Sequence, residues 1–332
     1  MNAKKWNAAK AIEISGQYMQ SCLLHAAVKL SIFQAIGDKQ LKSEQIAGKL
    51  HAEKRGIELF LNALSGIGLL AKREDKFSNT LFSRAFLSKE SPDYIGNIIL
   101  YYHNIIDSWS RLDYSVKKTR PIRTKHVCTD RKLRKNFLMC MFNLAQNMAP
   151  ELAKAIDLKG RRNILDVGGG VGLYSIHFCL KNPQLKGVVF DIPATKPYFE
   201  KVIKEFQLLD RIRFVGGDYL RNHFTGKYDV AIISNILHGH SLRDCGNIIK
   251  STVSALEPGG MIIIHDFILD NSMDKPVFGT LFALDMLLST KSGCVYSEER
   301  IMNMLIEAGA KKVQRLLFRG INDSGVITGS VG

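Results

Sequence analysis

Apolar residues recur along this chain in two different rhythms. Over residues 8–36, Ile12, Ile14, Met19, Leu23, Leu24, Ala27, Val28, Leu30, Ile32 and Phe33 follow one helical face, and Gly37 closes the run. Ser43-Glu44-Gln45 opens a second helix, with Ser43 as N-cap and Ile46, Ala47 and Leu50 on one side. A third, through Ile57, Leu59, Phe60, Leu61, Ala63 and Leu64, stops at Gly66-Ile67-Gly68. Residues 69–77 read as a short hairpin with a charged turn, so the order helix, helix, hairpin predicts a winged helix. Residues 92–116 predict one more helix, rich in aromatic residues.

From about residue 162 the rhythm changes. Short apolar runs at 163–167, 187–190, 212–215, 229–233 and 261–264 alternate with helical patterns. That alternation predicts an α/β, Rossmann-like doubly wound, mostly parallel sheet. The expected organisation is a mainly helical winged-helix domain over 1–115, a basic linker over 116–135 and the α/β domain over 136–332.

Composition narrows this picture. The chain has 332 residues, which suits two domains. Lys and Arg number 46 against 31 Asp and Glu, a net charge of +15. Much of the excess lies between Lys117 and Lys135, in Lys117, Lys118, Arg120, Arg123, Lys125, Arg131, Lys132, Arg134 and Lys135. With little aromatic interleaving, this stretch reads as a solvated connector and not as a nucleic-acid surface. No run of 18 apolar residues occurs, and Met1 to Trp6 carries no apolar signal-peptide core behind it, so no membrane partner is expected. Six scattered cysteines without a C-x-x-C pair argue against structural zinc or a disulfide framework and for a cytoplasmic protein.

Ligands of open α/β sheets bind at the carboxyl ends of the strands. Polar residues gather at all five predicted ends: Gly168-Gly169-Gly170-Val171-Gly172 after Asp166, then Asp191, then Gly216-Gly217-Asp218, then Ser234, Asn235 and His238, then His265-Asp266. The loop is G-x-G-x-G. Leu173 stands where a dinucleotide fingerprint needs its last glycine, which opposes a nicotinamide-dependent oxidoreductase. Asp191, 19 residues after Gly172, suits a ribose diol.

Taken in order, Asp166-Val167-Gly168-Gly169-Gly170-Val171-Gly172, Phe190-Asp191-Ile192-Pro193, Gly217-Asp218-Tyr219, Ile236-Leu237-His238 and Pro258-Gly259-Gly260 resemble the motifs of the class I small-molecule O-methyltransferases. That family holds plant caffeate and flavonoid enzymes, acetylserotonin methyltransferase and bacterial polyketide and carotenoid tailoring enzymes. The resemblance covers essentially the whole chain. It implies a homodimer formed through the winged-helix domain and S-adenosyl-L-methionine as cofactor. Gly168 and Gly170 would approach its methionine part, Asp191 its ribose, Asp218 its adenine amino group and Tyr219 the ring, with Asp166 and Ser234 on the same rim. His238 would be the general base and Asp266 the carboxylate that orients it. The helices lining the acceptor pocket in the family point to Met141, Phe142 and Met286. Asp285, a lone acid among apolar residues, reads equally as a pocket or a helix-surface residue.

The chemistry suits these residues. A phenol with a pKa near 10 is mostly protonated at neutral pH, and a histidine within reach can take that proton during attack. A carboxylate on the other ring nitrogen fixes the tautomer, and no metal is required. The sequence departs from the family twice. His238-Gly239-His240 replaces the usual H-D-W, and Val295 stands where a second carboxylate is common. His240 reads as a bystander, since an H-x-H pair with His265 lacks ordinary metal-ligand spacing. Two readings compete: a family member that uses the cofactor for a different reaction, and a ligand-sensing DNA-binding regulator. The apolar character of Ile57, Leu59, Phe60, Leu61 and Leu64 opposes the regulator, because a DNA-reading helix keeps a polar exposed face.

Overall fold

A computed structural model describes residues 6–123 and 131–332, with 131–133 as backbone alone. The chain forms two compact units that divide between Ile106 and Asp107.

The first unit begins with α1 (Ala8–Gly16), α2 (Tyr18–Lys29) and α3 (Ile32–Ile36). The single helix expected over 8–36 is thus interrupted twice, after Gly16 and at Ser31, whose φ of 57° leaves the right-handed helical region. Gly37 closes α3 with φ 59°. The next elements are β1 (Leu41–Lys42), α4 (Ser43–Leu50), α5 (Lys54–Gly66), β2 (Leu70–Arg73), β3 (Lys76–Asn79) and α6 (Gly96–Trp109). Ser43 is the first residue of α4 and not its cap. Lys42 takes the cap position, and its N–H donates to Gln45 Oε1 at 2.9 Å.

The strands β1-β3-β2 make a three-stranded antiparallel wing around the predicted hairpin. Ile32, Phe33, Ile46, Leu61 and Leu64 are fully buried where α3, α4 and α5 meet. Ile57, Leu61 and Leu64 share the inner stripe of α5, which leaves Leu59, off that stripe, 61% exposed.

The helix expected over 92–116 is also two helices, α6 and α7 (Leu112–Lys118). The boundary between the units falls inside α6, earlier than residue 115. The expected linker is structured where it is described: Ile122 and Arg123 both donate their N–H to Leu288 O at 3.0 Å, and Arg131 starts α8 (Arg131–Ala155). Lys125 and Cys128 lie outside the described residues, as do the side chains of Arg131 and Lys132.

The second unit continues with β4 (Asn163–Val167), α9 (Leu173–Lys181), β5 (Lys186–Asp191), α10 (Lys196–Glu205), β6 (Ile212–Gly216), β7 (Tyr228–Ser234), α11 (Leu242–Ser254) and β8 (Leu256–Leu269). It ends with α12 (Val277–Ser289), β9 (Tyr296–Ser297), α13 (Glu298–Glu307), β10 (Ala310–Arg315) and β11 (Ser324–Val331). The sheet order is β10-β11-β8-β7-β4-β5-β6, with β9 on the edge of β8. The five predicted strands pair in parallel, and β11 joins β8 and β10 antiparallel. Neither β10 nor β11 was expected. β10 is rich in charge, and β11 is buried on both faces over most of its length, so it shows no alternation.

One core, with Leu152, Ile176, Phe178 and Ile203, covers the α8–α9–α10 face of the sheet. The other, with Ile248, Ile249, Ile301 and Leu305, covers the α11–α13 face. Strand order reverses between β4 and β7, and the crevice at their carboxyl ends is where an α/β sheet takes its ligand. No helix among the described residues is long and apolar enough to cross a membrane.

Candidate active site

β4 delivers Asp166 to the switch point fully buried. Its Oδ2 accepts from Ser175 Oγ at 2.9 Å, while Oδ1 is buried without a partner. The glycine loop then turns through φ values of 66°, 58° and 83° at Gly168, Gly170 and Gly172. A side chain at Gly168 would lie 2.4 Å from Ile236 Cδ1, so this backbone passes the β7 rim at a distance only glycine permits. Asp191, at the end of β5, anchors the loop by accepting from Gly170 N–H at 2.8 Å, Ile192 N–H at 2.7 Å and Thr195 Oγ at 3.0 Å. A carboxylate offers about four acceptor sites, so Asp191 Oδ2, with one bond made, can take a further donor.

Burial pushes the Asp166 carboxyl up to about 7. Between the unfolded value of 3.8 and the folded one, the folded protein therefore holds a proton there that the unfolded chain has released. A raised acid contributes stability at low pH and loses it as pH climbs through the folded value. Asp166→Asn removes that loss. In denaturant titrations it is expected to gain on the unmodified protein as pH rises from about 4 to about 7. A pH-independent difference would show that the buried carboxyl titrates normally.

His238 sits in the 3-10 turn Leu237–Gly239 that follows β7. Asp266, near the end of β8 and 1% exposed, meets it: His238 Nδ1 lies 2.6 Å from Asp266 Oδ1. Phe267 N–H also donates to Oδ1, at 2.8 Å, and Leu237 N–H to Oδ2, at 3.0 Å. With both oxygens fixed by backbone, the carboxylate holds the imidazole in its Nδ1–H form and leaves the Nε2 lone pair available. Among the described residues Nε2 has no hydrogen-bond partner. The ring lies edge-on to Phe282 at 5.0 Å and near Phe267 at 5.7 Å, and Phe278 completes this aromatic cluster. Gly293 lets the following loop press on the turn, since a Cβ there would lie 2.6 Å from His238 O. Val295 is fully buried, and among the described residues Asp266 is the one carboxylate paired with His238.

The other expected residues fare differently. Asp218 holds its own turn, with Oδ1 accepting from Leu220 N–H at 2.9 Å and Oδ2 in an exposed pair with Arg221 at 3.4 Å. Ser234 points inward, its Oγ 2.9 Å from His265 Nδ1, and His265 Nε2 meets Ser324 Oγ at 3.1 Å. Burial lowers His265 to about 4, so it is neutral between the two serines. Met141 and Phe142 are half-buried on α8, Phe142 against the core, and Met286 is buried on α12. Asp285 is neither a surface residue nor open: Arg123 Nη2 at 2.8 Å and Trp109 Nε1 at 3.0 Å both donate to its Oδ1.

Sequence reasoning put Arg123 in a solvated connector and His265 at the rim without their partners, and missed Trp109 and the three phenylalanines. Phe278 and Phe282, four apart on a helix, carried the one visible signal, that of a shared apolar face.

Known proteins carry the same two modules. The family model of the O-methyltransferase dimerisation domain matches residues 12–89, and that of the O-methyltransferase domain matches residues 117–311. The chain is 27% identical to 3-hydroxy-5-methyl-1-naphthoate 3-O-methyltransferase of Streptomyces sahachiroi, over 92% of this chain and 90% of that protein. It is 27% identical to the tetracenomycin polyketide synthesis 8-O-methyl transferase of Streptomyces glaucescens, over 93% of each. A solved O-methyltransferase family protein from Burkholderia thailandensis superposes with a TM-score of 0.88 at 25% identity, over 99% of both chains. Since the catalytic-domain match alone spans more than half of the chain, the protein belongs to the S-adenosylmethionine-dependent O-methyltransferase family.

Proposed function

We propose that the protein methylates a hydroxyl oxygen of a small aromatic acceptor, with His238 as general base and Asp266 as the carboxylate that orients it. The observation that carries this reading is the 2.6 Å His238–Asp266 contact, in an imidazole that packs against the Phe267 and Phe282 rings. The two relatives named above act on a naphthoate and in polyketide synthesis, which supports an aromatic acceptor.

The rim fits S-adenosylmethionine. The unpartnered Asp166 Oδ1 and the remaining acceptor site on Asp191 Oδ2 are polar capacity the fold does not use. In this reading Gly168 and Gly170 flank the methionine part and Asp191 takes a ribose hydroxyl. Asp218 Oδ2, in a solvated pair that a competing donor displaces at small cost, takes the adenine amino group. Tyr219 covers the ring, and Ser234 shapes the wall through its bond to His265. The bound cofactor supplies an electrophilic sulfonium methyl. The protein's part is to hold the acceptor hydroxyl at Nε2, accept its proton there and stabilise the imidazolium through Asp266. Met141, Phe142 and Met286 would wall the acceptor, and Asp285 would serve by holding α12 through Arg123.

The dimerisation domain supports a homodimer. No residue of α1 is buried, and Ile12, Tyr18 and Met19 are at least 60% exposed, a face that a second copy would cover. The five described cysteines are unpaired, in keeping with work in a reducing cytoplasm.

Calorimetric titration with S-adenosylhomocysteine tests the cofactor assignment. Micromolar binding is expected, with no heat from NAD or a DNA duplex mixture. Binding of NAD or DNA without the homocysteine nucleoside would overturn it.

A further inference from the structure

His240 is more than a bystander in this fold. Its carbonyl accepts from Tyr296 OH at 2.7 Å, and its N–H donates to Leu237 O at 3.1 Å, so its backbone is held from two sides. Its ring, half-buried, stands edge-on to Tyr219 with centroids 5.5 Å apart, and Nε2 lies 3.0 Å from Tyr219 OH. Burial and the neighbouring His238 lower its pKa, so the ring is uncharged at neutral pH, and in the Nδ1–H tautomer Nε2 accepts from the phenol.

Tyr219 leaves the end of β6, on the flank where the cofactor's adenine is placed, and His240 is two residues from the proposed base. This one bond therefore joins the two halves of the site. We propose that His240 is a positioning residue that fixes Tyr219 at the adenine end of the cofactor site and ties that end to the His238 turn. The inference rests on the cofactor placement proposed above.

The test is a double-mutant cycle on the full-length protein, read by calorimetric titration with S-adenosylhomocysteine. His240→Phe keeps the ring and removes the acceptor, and Tyr219→Phe removes the donor. Each is expected to weaken binding about fivefold, the weight of one neutral hydrogen bond. The double variant is expected to bind no more weakly than either single one, because both remove the same interaction. His240→Gln, whose amide oxygen can accept from the phenol, should recover part of the loss, which a merely space-filling role would not produce.

Wild-type affinity in either single variant overturns the inference, and so do losses that multiply in the double variant while the unmodified protein binds normally. Absence of binding by the unmodified protein overturns the cofactor placement, and this inference with it.

Discussion

His238→Ala is expected to reduce turnover about a thousandfold and to leave S-adenosylhomocysteine affinity within about twofold of the unmodified protein. The size follows from the acceptor. A phenol with a pKa near 10 is ionised to roughly one part in a thousand at pH 7, so an enzyme without its base must wait for that fraction. This lies within the range of about 10² to 10⁴ for a positioned general base. Affinity survives because His238 touches Asp266 and the phenylalanine rings, while the residues placed on the cofactor stand on β4 and β5, in the loops after β4 and β6, and at the end of β7. The acceptor's own ionisation provides a second signature. Raising the pH toward 10 makes phenolate without help, so the variant should recover activity relative to the unmodified enzyme. Methyl transfer to a phenolic acceptor, followed by chromatography across that pH range, measures both. Activity within tenfold of the unmodified enzyme at neutral pH would remove His238 from the mechanism.

Arg123→Ala is expected to destabilise the protein by about 3 kcal/mol. The Asp285 side chain is 5% exposed and that of Arg123 18%, so the pair is desolvated. Removing the guanidinium strands a buried carboxylate whose Oδ2 has no partner even now. Trp109 still donates to Oδ1, which keeps the cost at the lower end of the range for a broken buried pair. In a unit of this size each kcal/mol lowers the midpoint by roughly 2–4 °C, so a fall of about 6–12 °C is expected in thermal denaturation. Arg123→Ala combined with Asp285→Asn should be more stable than Arg123→Ala alone, because the stranded charge is gone. If the single variant melts like the unmodified protein, the pair carries no weight. The bonds from Ile122 and Arg123 to Leu288 O would then be what ties this segment to α12.

The α/β class was legible in the chain because parallel strands are buried on both faces. β5 and β7 consequently read as near-continuous apolar runs and β4 as one broken only by Asp166, and the residues that follow each run mark the rim. The winged helix was legible for a related reason: Ile57, Leu61 and Leu64 keep helical spacing, and Glu74-Asp75 forms the turn of the hairpin. Helix interruptions at Ser31 and after Trp109 were not legible, since apolar spacing continues across them. β10 and β11 escaped because charge on one and burial of both faces on the other erase the period-two signal.

The site divides in the same way. Which residues stand at the strand ends followed from local order along the chain. Their pairing did not: the resemblance alone joined His238 to Asp266, 28 residues away, and neither Tyr219 with His240, 21 apart, nor Arg123 with Asp285, 162 apart, was foreseen. A pattern of apolar positions shows which side of an element turns inward. What faces that side depends on sheet order, strand register and helix rotation, which are settled by packing the whole unit at once. Burial belongs with packing too. Asp166 rises to about 7 and His265 falls to about 4 because neighbours distant in sequence exclude water from both.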